Sequence, residues 1–144
     1  MIEGKERREA LERICVEFDV AILYVFGSRA EQVVDWLEGS RAGLTAGASD
    51  VDIGVKALPD VIWQLDDKVQ LALQLENLFD DGRVDLIVLD VATPFLAEEI
   101  IRGERLYAQD EYLADEYDLY ILRRAGDLAP LEREWLATVL QERA

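Results

Sequence analysis

Two short stretches hold the residue types best suited to chemistry. Phe26-Gly27-Ser28-Arg29-Ala30 ends one apolar run, and Ser49-Asp50-Val51-Asp52-Ile53 opens the next. Residues two apart on a strand point to one side, so Asp50 and Asp52 present their carboxylates together. Such a pair repels, and a divalent cation between the two removes the penalty. All-oxygen ligands favour Mg²⁺ or Mn²⁺, and a chain with no histidine and one cysteine is unsuited to a conventional zinc site. Asp85 is the second residue of a later apolar run, Val84-Asp85-Leu86-Ile87-Val88-Leu89. If that strand lies beside the Asp50/Asp52 strand, Asp85 completes a three-carboxylate cluster able to hold two ions about 4 Å apart. Asp90, at the far end of the run, is the alternative, although it reads more naturally as a turn residue.

Gly27 has no Cβ and lets a phosphate approach the backbone. Ser28 offers a hydroxyl and an N–H at the start of the following helix, an arrangement suited to anions. Arg29 adds a fork-shaped donor for phosphate oxygens. Taken singly, a Gly-Ser turn, an Asp-x-Asp and an Asp within a strand are ordinary features. Their order at the ends of three successive predicted strands points to a site for a metal-bound nucleoside triphosphate.

The elements that must position these residues follow from the apolar pattern. Leu11, Ile14, Cys15 and Phe18 recur at helical spacing, which predicts an amphipathic helix from about Lys5 to Glu17. Val20 to Phe26 is nearly all apolar and reads as a central strand buried on both faces. Ala30 to Leu37 forms a short helix before a glycine-containing loop that includes Thr45-Ala46-Gly47-Ala48. Asp50 to Val55 alternates, with Asp50, Asp52 and Gly54 toward a cleft and Val51, Ile53 and Val55 toward the core. Asp60 is expected to cap a helix from Val61 to about Asp80, with Ile62, Leu65, Val69, Ala72 and Leu73 on its apolar face. Asp81-Gly82 turns the chain into the third strand. Thr93 and Pro94 start a further helix that Gly103 closes, and Glu104 to Tyr107 reads as a short edge strand. Leu113, Tyr117, Tyr120 and Ile121 then mark one helix, with Leu131, Trp135 and Val139 marking another from near Pro130. The order predicts an α/β or α+β domain with a small mixed sheet flanked by helices.

Composition narrows the classes. The 144 residues fit a single domain spanning 1–144, with a core over about 1–108 and a helical tail over about 109–144. Fifteen basic residues against 31 acidic ones leave a formal net charge of −16. That balance disfavours direct nucleic-acid binding and favours either a basic protein partner or simple solubility. Cys15 excludes an intramolecular disulfide and reads as a small buried hydrophobe. No stretch reaches the roughly 20 apolar residues of a membrane span, and the N-terminus lacks a signal-peptide pattern, so a cytoplasmic protein is expected.

Gly27-Ser28, the spacer, Asp50-x-Asp52 and the later Asp85 resemble the hallmark of the minimal nucleotidyltransferases, small members of the DNA polymerase β superfamily. The likeness runs from about Ala10 to Tyr107, and the tyrosine-rich tail is similar to the family's C-terminal part. The resemblance implies a polymerase β palm-like fold, ATP as substrate and Mg²⁺ or Mn²⁺ as cofactor. It implies that Asp50 and Asp52 ligate the metals, that Asp85 helps activate the acceptor hydroxyl, and that Gly27, Ser28 and Arg29 hold the phosphates. Stand-alone members of this size are typically antitoxins that transfer AMP to a tyrosine of a HEPN ribonuclease toxin, so the implied partner is such a toxin, basic in charge, in a homo- or hetero-oligomer. Two features depart from the pattern. Residues 29 to 49 separate Gly-Ser from Asp-x-Asp where relatives have roughly ten, and Glu31 stands where many carry a second arginine. A noncatalytic antitoxin that neutralises its partner by docking is the principal alternative. Transfer to a small molecule such as an aminoglycoside comes third, because the chain lacks room for a second substrate-binding domain.

Overall fold

The computed structural model of the chain describes residues 2–45, 49–80 and 83–142. Its elements run α1 (Ile2–Glu17), β1 (Val20–Phe26), α2 (Ala30–Leu37), β2 (Val51–Ala57), α3 (Leu65–Phe79), β3 (Val84–Val88), a 3-10 turn (Leu89–Val91), α4 (Pro94–Ile101), β4 (Glu104–Ala108) and α5 (Glu111–Glu142). The four strands form one mixed sheet in the order β3-β2-β1-β4. β1 pairs antiparallel with both β2 and β4, while β2 and β3 run parallel. The expected mixed α/β architecture is therefore present, with β1 central and β4 at the edge.

Alternation along the strands divides the apolar residues between two cores. Leu23, Val25, Val51, Ile53 and Val55 pack with Leu11, Cys15, Val33, Leu37, Leu71, Leu75 and Phe79 on the α1/α2/α3 side. Ile22, Tyr24 and Phe26 pack with Ile100, Ile101, Ala114 and Ile121 on the α4/α5 side. Cys15 lies wholly inside the first core. Burial, followed by the charge of Glu12, pushes its thiol up to about 12, consistent with an unreactive apolar filler.

Two helices differ from expectation. α3 begins at Leu65 rather than after Asp60, which adopts a left-handed backbone with φ of 67°. The Trp63 indole N–H donates to the Phe18 carbonyl at 2.7 Å and pins the intervening segment to the end of α1. The Asp67 carboxylate accepts from the Gln64 backbone N–H at 2.8 Å, fixing the real start. The buried face of α3 consists of Leu71, Leu75 and Phe79, whereas Ile62, Leu65, Val69 and Leu73 are exposed. Both sets have helical spacing, and contact with the sheet selects between them. The tail is one 32-residue helix rather than two, with Pro130 inside it. The expected turn at Asp81-Gly82 and loop positions Ala46, Gly47 and Ala48 lie outside the described residues.

The start of α4 follows the sequence closely. The Thr93 hydroxyl accepts from the Leu96 N–H at 3.2 Å, with Pro94 at the first helical position. Gly103 then leads into β4 where an added Cβ would meet the Val25 carbonyl oxygen at 2.4 Å. Glycine is needed there because the α4-to-β4 connection crosses directly over the end of β1. Arg105 ties β4 to α5 through Glu111, Asp115 and Asp118, at 2.9, 2.9 and 2.7 Å. The buried Tyr24 hydroxyl donates to the same Asp118.

Candidate active site

The end of β1 and the beginnings of β2 and β3 meet at one edge of the sheet. Register places Asp52 opposite Phe26 on one side and opposite Asp85 on the other. Asp52 and Asp85 therefore occupy neighbouring positions on the face covered further along by α4. Gly54, two residues on, lies under Ile100, whose Cγ2 would be 2.3 Å from an added Cβ. That contact closes the rest of the β2 face and leaves the carboxylate end open.

Gly27 adopts φ of 78°, and a Cβ built there would stand 2.4 Å from Asp52 Oδ2. The glycine thus does two things: it makes the left-handed turn out of β1, and it makes room for the Asp52 carboxylate. Burial raises the Asp52 pKa above the ordinary aspartate value, and the charges of Asp85, Asp50 and Glu99, in that order, raise it further. Four carboxylates share one field, and Asp50 and Asp85 are themselves solvent-exposed. Glu99, on α4, carries no motif in the sequence; only the packing of α4 over the sheet brings it here.

Arg29 lies inside the fold. It is 2% exposed, and its guanidinium donates to the Ser49 carbonyl at 2.9 Å and the Thr45 carbonyl at 3.0 Å. These N–H groups hold the long connection that leads into Asp50 rather than facing solvent as a phosphate fork. Ser28 and Ser49 link the same two segments through their hydroxyls, 3.0 Å apart. The spacer is consequently tied to the Gly-Ser turn at both of its described ends. The unusual length between the two motifs had no partner in the sequence pattern, and buried Arg29 supplies it.

Beside the turn, Phe26, Gly27, Ser28, Glu31, Glu99, Arg102 and Glu104 line a cleft of about 600 Å³. Arg102 is the arginine on this wall, paired with Glu98 at 3.1 Å. Glu31 opens α2 with an acidic side chain, which supports the helix dipole but opposes an anion there. Asp90, the alternative third carboxylate, sits away from this edge and pairs with Lys56 at 2.9 Å.

The donor set has the chemistry for a hard divalent cation: carboxylates from adjacent register positions, with Asp52 pressed against glycine and its proton affinity raised by burial and by its acidic neighbours. Among the described residues, no three acidic, histidine or cysteine side chains are gathered tightly enough to cage an ion as they stand. No helix of the described residues is long and apolar enough to cross a membrane.

A search of curated proteins finds no match. Among solved structures, the fold is similar to a tri-AMPylated Shewanella oneidensis HEPN toxin in complex with MNT antitoxin, with 16% identity, TM-score 0.66, and coverage of 95% of this chain and 98% of that one. A toxin-antitoxin structure with AMP-PNP matches at 17% identity and TM-score 0.68, covering 92% and 98%. A chain provisionally named a minimal nucleotidyltransferase matches at 29% identity and TM-score 0.51, covering 69% and 88%. The model of the polymerase beta nucleotidyltransferase family matches residues 9–112, the stretch that carries Gly27-Ser28, Asp50, Asp52 and Asp85. The chain belongs to the polymerase beta nucleotidyltransferase family.

Proposed function

We propose that this chain is a metal-dependent protein adenylyltransferase that transfers AMP from ATP to a tyrosine of a HEPN-type ribonuclease toxin and thereby acts as its antitoxin. The observation that carries the reading is the junction of Gly27, Asp52 and Asp85: the glycine accommodates the Asp52 carboxylate, and Asp85 is its register partner. Family membership supplies the reaction class. The likeness to an AMPylated HEPN toxin bound to its MNT antitoxin, and to a toxin-antitoxin structure with AMP-PNP, motivates the acceptor and the nucleotide.

In this reading Asp50, Asp52 and Asp85 hold Mg²⁺ or Mn²⁺, with the exposed Asp50 and Asp85 side chains rotating toward the fixed Asp52 carboxylate. When bound, the cation neutralises phosphate charge and lowers the barrier to attack at phosphorus. Gly27 and Ser28 receive the phosphates at the start of α2, and Arg29 contributes positive charge below the turn while it holds the spacer. Asp85 draws the proton from the tyrosine hydroxyl as its oxygen bonds to the α-phosphorus; the bond to the β-phosphate oxygen breaks and pyrophosphate leaves. The whole chain works as one minimal nucleotidyltransferase domain, core over about 1–108 and tail over about 109–144. Its charge of −16 suits a basic toxin in the cytoplasm.

The uncaged carboxylates and Glu31 favour one rival, a docking antitoxin without catalysis. Intact mass spectrometry of the chain with the product of its neighbouring gene, Mg²⁺ and ATP separates the two. Added AMP on the neighbour, absent with Asp50→Asn/Asp52→Asn, establishes transfer. A stable complex without added mass establishes docking alone.

A further inference from the structure

The sheet ends in β3, which among the described residues pairs on one side only, with β2. Beside that open edge α3 carries a second apolar face. Leu65, Val69 and Leu73 recur every four residues, a spacing that aligns them along one side of the helix, and all three are exposed. Ile62 and Val91 stand out further, at 83% and 80% exposure. These two share with Val61, Trp63 and Val88 the lining of a hollow of about 220 Å³, room for one branched or aromatic side chain. Lys68, which lies between the exposed stripe and the buried face of α3, lines the same hollow. The stripe therefore runs along the flank of α3 that borders the free edge of β3. An open strand edge beside exposed apolar side chains is a surface made for a partner.

Charge decides what covers it. Asp66, Asp67 and Glu76 on α3 and Asp85 on β3 surround the face, against Lys68 and Arg83. A second copy of this chain would bring the same four carboxylates, and another charge of −16, against them. A partner whose apolar side chains are ringed by Lys and Arg meets both the apolar centre and the acidic rim. Position narrows the partner further. Asp85 lies on this edge strand three residues before Val88, about 10 Å along the strand at roughly 3.3 Å per residue. A protein anchored in the hollow therefore has the reach to present a side chain at the open carboxylate end of the sheet.

We propose that the acceptor protein docks on the free edge of β3, seating apolar side chains on Leu65, Val69 and Leu73 and in the hollow at Val88, with its basic residues against the acidic rim. Docked there, it delivers its tyrosine to Asp85. The inference deepens the transfer reading above and rests on it. Recognition by the α3 face and chemistry at the carboxylates use different side chains, so substitution separates them. Leu65, Val69 and Leu73 lie outside both apolar cores, and glutamine has a helix propensity close to that of leucine. The fold therefore survives their replacement.

The test is the affinity of Leu65→Gln/Val69→Gln/Leu73→Gln, as the full chain, for the purified product of the neighbouring gene. The expected result is a loss of about 100-fold, with a matching fall in AMP transfer when the partner is below saturation. Mn²⁺ affinity and the thermal transition should match wild type. Added salt should weaken the wild-type complex, and Asp66→Lys should weaken it at low salt. Leu136→Gln/Leu140→Gln, on the exposed tail helix, is the control and should bind as wild type. Wild-type affinity in the triple variant, with AMP still transferred, overturns the docking surface and leaves the transfer reading standing. Binding that the triple variant loses, with no AMP transferred by wild type, upholds the surface and overturns the transfer reading. Loss of binding through the tail pair alone would place the partner on α5, and a dimer of this chain that the triple variant dissolves would give the face to a second copy. Either result overturns the proposal, as does a neighbour that does not bind the wild-type chain.

Discussion

Gly27→Ala is the most direct probe of the candidate site. The added methyl would stand 2.4 Å from Asp52 Oδ2, so the carboxylate must withdraw by about 1 Å to restore van der Waals contact. The backbone at φ of 78° adds about 1–2 kcal/mol of strain for any residue with a Cβ. Stability should therefore fall by an amount that thermal unfolding reads as roughly 2–8 °C. A reacting group misplaced by about 1 Å loses about 100-fold in rate, and AMP transfer should drop by that order. Mn²⁺ affinity, followed by electron paramagnetic resonance, should fall in parallel and reports on the site without requiring turnover. Gly43→Ala is the control, because a Cβ there meets nothing within 4 Å, and it should leave all three measurements unchanged. Wild-type transfer and wild-type Mn²⁺ affinity in Gly27→Ala would refute the placement of the Asp52 carboxylate against the turn.

Other consequences follow from particular contacts. Arg29→Met removes a buried guanidinium from the Thr45 and Ser49 carbonyls and should lower stability by about 3 kcal/mol in urea denaturation, with faster proteolysis within 41–49; unchanged values would show that the arginine does not hold the spacer. Because burial, Asp85, Asp50 and Glu99 raise the Asp52 pKa, the folded protein binds its proton more tightly than the unfolded chain does. Stability of the metal-free protein should then decline as pH rises from the ordinary aspartate range through the raised value, and stay reduced above it. Asp52→Asn should stabilise the metal-free protein at neutral pH, lose that advantage in acid, and abolish stabilisation by Mg²⁺; a destabilised Asn variant at neutral pH contradicts the repulsion. Cys15, wholly buried and with its thiol pushed up to about 12, should resist iodoacetamide at pH 8 until the protein unfolds, as mass spectrometry would reveal.

Much of the frame was legible because local physics dictates it. The unbroken apolar run Val20 to Phe26 has no polar face to offer solvent, and it is the buried central β1. Thr93-Pro94 is a helix start under almost any surroundings, and α4 begins there. Where two helical faces competed, as Leu71/Leu75/Phe79 against Leu65/Val69/Leu73, periodicity had no means to choose. Pro130 looked like a boundary, yet it lies inside one continuous helix; a proline disfavours a helix interior through its missing N–H and its ring contact with the preceding turn, but it does not by itself fix where the helix ends.

The site divides along the same line. Gly27, Ser28, Asp50, Asp52 and Asp85 were visible by type and spacing, because a glycine-serine turn and alternating carboxylates are local patterns. Their adjacency depended on β2 and β3 pairing in parallel with Asp52 beside Asp85, which is a long-range register. The close fit of Gly27 to Asp52 also needed β1 alongside β2. Glu99 reached the carboxylate field only through the docking of α4, and Arg29 took a buried place under the spacer rather than an open one on a phosphate. The sequence by itself determined which groups and which local turns were present, because those follow from side-chain chemistry and periods of two and 3.6. Only the tertiary structure decided which of the charges meet, because charge proximity across a sheet depends on strand order and helix packing that no local window contains.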